Sequence, residues 1–142
     1  MFRNWAKLTD TLIENALMED IQSGDITTNA IVPKEVVSTA YLFNKEDGVL
    51  AGIDVAMKVF HKVDATLETR TFFKDGDCIK KGQKIADITG SVASSLQAER
   101  TALNFLGRMS GIATNTANYV KRVDGLRVKI LDTRKTVPMM RH

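Results

Sequence analysis

The chain has 142 residues, 44% hydrophobic and 26% charged, enough apolar content for a core in one domain, or in one domain and part of another. That composition excludes disorder of the whole chain, and the single cysteine, Cys78, can close no internal disulfide and forms no zinc-ligand cluster with His61 and His142. A net charge of +3 is too small to require nucleic acid as a partner. Residues 1–12 carry Arg3, Lys7 and Asp10 and lack the apolar stretch of a signal peptide. No uncharged apolar run approaches the roughly 20 residues that cross a bilayer. A soluble, cytoplasmic protein is expected, in keeping with a lone thiol in a reducing compartment.

The first element is a helix over residues 11–21, where Leu12, Ile13, Ala16, Leu17 and Ile21 share one face and Thr11 with Glu14 fits a capping box. A polar loop is predicted over residues 22–28. Strands are predicted over residues 36–43 and 48–51, separated by the turn Lys45-Glu46-Asp47-Gly48. Residues 54–62 return to helical spacing, with Val55, Val59 and Val63 on one stripe and Ala56 and Phe60 beside it. After a strand at 67–73, two turns of one design, Lys74-Asp75-Gly76-Asp77 and Lys80-Lys81-Gly82-Gln83, enclose Cys78-Ile79 and lead into a strand at 84–89. Turns so closely spaced imply a compact antiparallel sheet.

Ser94 and Gln97 fit a second capping box, opening a helix that carries Leu96, Leu103, Leu106 and Met109 to about Gly111. Gly107 and Gly111, four apart, suit close helix packing or a helix end. A further helix over 112–123 stops at Asp124-Gly125. Residues 128–131 then read as a short apolar strand running into Asp132-Thr133-Arg134-Lys135-Thr136. The pattern predicts an α+β arrangement for residues 1–90 and the opening of an α/β domain at the end of the chain, with a boundary near Ile112.

The basic residues are not spread evenly. Lys121, Arg122, Arg127, Lys129, Arg134, Lys135 and Arg141 face only Asp124 and Asp132 over residues 121–142. In α/β sheets ligands gather at the carboxyl ends of strands. There Arg134 offers a planar fork for carboxylate or phosphate, Lys135 a compact charge, and Thr133 and Thr136 short-range donors. Spacing alone leaves two readings open, an anion receptor or solvated charges after a strand. Arg100, near the predicted start of the long helix, opposes the helix dipole, so either a substrate or a salt bridge to a nearby carboxylate holds it there.

Four stretches in order carry a resemblance: Glu19-Asp20-Ile21 through Ser23-Gly24-Asp25-Ile26-Thr27-Thr28, then Ala98-Glu99-Arg100-Thr101-Ala102-Leu103-Asn104-Phe105-Leu106, then Ser110-Gly111-Ile112-Ala113-Thr114, then Asp132-Thr133-Arg134-Lys135-Thr136. This order resembles the N-terminal half of the quinolinate phosphoribosyltransferase family, also called nicotinate-nucleotide pyrophosphorylase (carboxylating). The resemblance implies an α+β N-terminal sandwich domain, residues 1–112, followed by the start of an α/β barrel, residues 113–142, with 128–131 as its first strand. It implies a pentosyltransferase of NAD biosynthesis. Such an enzyme moves the phosphoribosyl group of phosphoribosyl pyrophosphate onto the ring nitrogen of quinolinate, with Mg2+, and releases pyrophosphate and carbon dioxide. Substrate contacts fall by resemblance on Arg100, Thr133, Arg134 and Lys135, with Arg100 supplied across a homodimer interface; no catalytic residue is assigned with certainty. In the family the metal-associated acidic residues and the phosphate loop lie beyond the position of His142, so Mg2+ is expected through residues outside this chain, which alone should be inactive.

The family's Thr-Thr-Pro-Gly-Leu-Arg stands here as Thr136-Val137-Pro138-Met139-Met140-Arg141, with Met139 in place of Gly. An alternative reading, a biotinyl or lipoyl carrier with Lys58 as attachment site, rests on Ala56-Met57-Lys58 and the later glycine turns. It lacks a matching half before the lysine, and Lys58 falls in a helical pattern. Asp20 and Asp25 are read as capping residues ahead of a catalytic role, Arg108 as structural and His61 as an exposed helix residue.

Overall fold

The computed structural model describes residues 5–21, 25–33 and 35–138. In chain order the elements are α1 (Trp5–Ile21), α2 (Ile26–Ile31), β1 (Val37–Phe43), β2 (Gly48–Val49), α3 (Ile53–Val63), β3 (Glu68–Thr71), β4 (Cys78–Ile79), β5 (Lys84–Ser91) and α4 (Val92–Arg122). The fold is mixed α/β. Its main sheet has three strands in the order β1-β5-β3, all antiparallel, with Tyr41, Asp87 and Arg70 in one register row. A separate antiparallel pair joins β2 to β4.

The core lies where α3 packs on α4 and α4 meets β5. The helical spacing of residues 54–62 buries Ile53, Ala56, Met57, Val59 and Phe60 of α3, and β5 contributes Ile85, Ala86 and Ile88. From α4 come Ala98 and Ala102, 0% and 1% exposed, whose small side chains let the helix approach closely, and beside them Phe105 and Leu106. Ile13 of α1, wholly buried, joins this cluster. Leu96 and Leu103 of α4, expected on its apolar stripe, point outward instead.

The two Lys-Xaa-Gly-Xaa turns share one construction. Gly76 and Gly82 take φ of +94° and +83°, which a residue with a Cβ adopts only with strain. In each turn the fourth side chain closes back on the first residue: Asp77 Oδ2 accepts from Lys74 N at 2.9 Å, and Gln83 Oε1 from Lys80 N at 2.7 Å. The neighbouring Asp47 accepts from Lys81 N and pairs with Lys80. Those contacts hold its carboxyl below the usual carboxylate range, the Lys81 N–H contributing most.

Several predicted boundaries move. Thr11 is not a cap: α1 already includes Trp5, and Thr11 Oγ1 donates to Lys7 O at 3.0 Å within the helix. Residues 26–28, expected in a loop, open α2, because Asp25 Oδ1 accepts from Thr28 N at 2.9 Å and caps it. Gln22, Ser23 and Gly24 lie outside the described residues, as do residues 139–142 with the Met139 substitution. The long helix starts at Val92 with Ser91 as N-cap, so Ser94 is its bonding partner and not the cap.

The two predicted helices on either side of Gly111 are one, α4 passing unbroken through residue 112. A single interior glycine costs about 1 kcal/mol against alanine, too little to break a helix anchored on both sides of it. A Cβ at Gly107 or Gly111 would meet nothing within 4 Å, so neither glycine serves a close contact among the described residues. Residues 128–131 are not a strand: a strand needs a bonded neighbour, and Val128, Ile130 and Leu131 are exposed with no ladder partner among the described residues.

Candidate functional site

Arg100 lies about two turns into α4. Because that helix starts at Val92, Arg100 is beyond the first turn, where the dipole acts, and its position carries no such penalty. The salt bridge left open by the sequence is present: Arg100 Nη1 donates to Asp20 Oδ1 at 2.8 Å, joining α4 to the last turn of α1. Asp20 therefore acts neither as a cap nor as an isolated carboxylate. Asp25 caps α2, and its second oxygen accepts from the hydroxyl of buried Thr28.

Thr133, Arg134 and Lys135 occupy an exposed, irregular segment after α4. Thr133 Oγ1 accepts from Lys135 N at 3.3 Å, a local turn bond that sets the direction of the loop. Lys135 and Thr136 reach a groove of about 610 Å³ walled by Leu12, Phe105, Met109 and Ile112. Arg108, read from sequence as structural, lines this groove and also a cleft of about 300 Å³ between α1 and α4. Neither cavity counts Arg100, Thr133 or Arg134 among its lining residues, so this chain does not bring the four residues together in one of them.

The Ser110-Gly111-Ile112-Ala113-Thr114 stretch has a structural task. Ser110 Oγ accepts from Ala51 N at 3.0 Å and donates to Ala51 O at 3.1 Å, while Thr114 Oγ1 accepts from Val49 N at 2.9 Å. Four residues apart on one helix face, these hydroxyls satisfy backbone groups of β2 and the residues after it that no strand pairs. The hydroxyls at i and i+4 would have been the signal, but the break read at Gly111 put them on two separate helices.

Lys58 lies inside α3, 3.7 Å from Asp10, and not at a hairpin tip, so the carrier reading has no support. His61 is exposed on the same helix, its Nε2 3.4 Å from Thr69 Oγ1. Among the described residues no three His, Cys, Asp or Glu side chains stand close enough together to hold a metal ion. No described helix is long and apolar enough to cross a membrane.

The fold is a mixed α/β domain whose long helix carries Arg100 and is followed by a basic segment. The family described as quinolinate phosphoribosyl transferase, N-terminal domain, matches residues 25–110. This chain belongs to the quinolinate phosphoribosyltransferase family. It is 42% identical over 132 residues to the nicotinate-nucleotide pyrophosphorylase (carboxylating) of Mycobacterium leprae, covering 91% of this chain and 46% of that protein. With the quinolinate phosphoribosyltransferase (decarboxylating) 2a, mitochondrial, of Nicotiana tabacum, identity is 40% over 131 residues, covering 92% of this chain and 37% of the relative. The crystal structure of NadC from Streptococcus pyogenes superposes with a TM-score of 0.88 at 46% identity, covering 91% of this chain and 46% of that one. The chain thus spans less than half the length of these relatives.

Proposed function

We propose that this chain forms the N-terminal part of a quinolinate phosphoribosyltransferase, which transfers the phosphoribosyl group of phosphoribosyl pyrophosphate to quinolinate and releases pyrophosphate and carbon dioxide, giving nicotinate mononucleotide for NAD synthesis. The reading is carried by similarity along nine-tenths of the chain to relatives whose names state this chemistry. Arg100, Thr133, Arg134 and Lys135 contact substrate. Quinolinate bears two adjacent ring carboxylates, and a planar guanidinium holds a carboxylate by two parallel bonds where an ammonium supplies only a point charge. Fixed cations also favour loss of carbon dioxide, because negative charge develops on the ring carbon beside the newly substituted nitrogen.

Arg100, Thr133 and Arg134 line neither the groove nor the cleft described above, which suits a site completed by a second copy. Arg100, 74% exposed, would reach the site of a homodimer partner. Exposed Ile112, Tyr119 and Val120 on α4 fit a face covered by another surface. In this reading residues 1–112 are a sandwich domain and residues 113–142 open an α/β barrel whose later strands would pair with residues 128–131. As the resemblance implies, Mg2+ would be held by residues of the rest of a full-length protein. The chain alone would be inactive. A cytoplasmic location rests on the lone thiol of Cys78; plant relatives are named mitochondrial or chloroplastic.

Titration calorimetry of the full-length protein with quinolinate tests the site. Arg134→Ala should weaken binding at least about tenfold, the scale of one lost charge-assisted hydrogen bond. Binding as tight as that of the parent would remove Arg134 from the site.

A further inference from the structure

The Asp20–Arg100 pair has features that neither helix stability nor packing accounts for. Asp20 stands in the last turn of α1, the end of a helix where negative charge is unfavourable, and no basic residue of α1 lies in that turn to compensate. Its partner comes from a position 80 residues away. The pair is also unequal: the Asp20 side chain is 20% exposed and that of Arg100 74%. A pair so open to water adds little to folding, because screening and the ordering of a long side chain offset the attraction. Its definite effect is geometric. The partly buried, short carboxylate fixes Nη1 at 2.8 Å, while most of the Arg100 side chain stays in solvent.

We propose that Asp20 is a positioning residue for Arg100. By accepting from Nη1 it selects one of the many conformers of the arginine and leaves the remaining N–H donors directed away from α1, toward an incoming carboxylate. Arg100 then loses less conformational freedom when substrate binds, so the ordering is done before the encounter. Glu19, Asp20, Thr101 and Asn104 line the cleft between α1 and α4 beside this pair, which keeps the carboxylate between two packed helices and not on a loop. The inference rests on the proposed reaction and on Arg100 as a substrate contact.

Steady-state kinetics of the full-length enzyme, each substrate varied in turn, test it. Asp20→Asn should raise KM for quinolinate about tenfold and leave KM for phosphoribosyl pyrophosphate within about twofold, the scale of one charge-assisted bond acting on one ligand. Asp20→Glu should restore most of the loss. In an Arg100→Ala background Asp20→Asn should add less than about twofold, because residues acting through one another are not additive. An unchanged KM in Asp20→Asn, or losses that multiply in the double variant, would overturn the role of Asp20 in an active parent. A folded parent that makes no nicotinate mononucleotide would overturn the functional reading itself.

Discussion

Asp64 shows how one half-buried side chain ties two elements together. Its Oδ1 accepts from Thr66 N at 2.9 Å and Thr66 Oγ1 at 2.6 Å, and its Oδ2 accepts from Ser94 Oγ at 2.8 Å, linking the end of α3 to the first turn of α4. These bonds favour the ionised form, the Thr66 hydroxyl contributing most and Ser94 next, so the carboxyl titrates below its ordinary 3.8. A group with a lowered folded pKa stabilises the fold fully above its unfolded value and loses that contribution as pH falls through the folded value. Thermal midpoints measured at descending pH should therefore drop below about pH 3.8, and drop less steeply in Asp64→Asn. An identical slope in the two proteins would remove Asp64 from the acid response.

At the scale of elements, α3 depends on a glycine and a distant aspartate. Gly52 is its N-cap, with φ of +88°, and a Cβ there would stand 2.5 Å from Met109 Sδ on α4. With no side chain to cap the helix itself, the task passes to Asp75, whose Oδ1 accepts from Ile53 N at 2.9 Å. Gly52→Ala should cost about 1–3 kcal/mol from backbone strain alone, and more where Met109 cannot shift; chemical denaturation measures it, and a loss under about 0.5 kcal/mol would show that the left-handed turn is not required. The residues that made α3 and the paired glycine turns legible act locally: apolar spacing and positive-φ glycines need only their neighbours. The errors have the opposite origin. Thr11 and Glu14 match a capping box by spacing, yet α1 already includes Trp5, and Glu14 pairs with Lys62 of α3 instead. Gly111 reads as a stop, but Ser110 and Thr114 hold the helix to β2 across it. Val128, Ile130 and Leu131 have strand composition without a strand's partner among the described residues. At the candidate site the same division holds. Arg100 and Arg134 were visible as basic residues in motif order, whereas the Asp20 contact joins residues too far apart in sequence for any local pattern to signal.

For the whole molecule, the arrangement of the basic residues bears on assembly. Arg100 projects from the first third of a helix that also exposes Ile112, Tyr119 and Val120 farther along, and Arg134 lies on the segment that follows it. If Arg100 serves a partner's site, full-length subunits carrying Arg100→Ala mixed with subunits carrying Arg134→Ala should regain activity, since one site of each mixed dimer then contains both arginines. Mixed dimers with no recovery would place both residues in the site of their own subunit. The most direct measurement is an assay of the full-length protein with quinolinate and phosphoribosyl pyrophosphate, following nicotinate mononucleotide and carbon dioxide together. One of each formed per quinolinate consumed is the expected result; a folded, dimeric protein that forms neither would contradict the assignment.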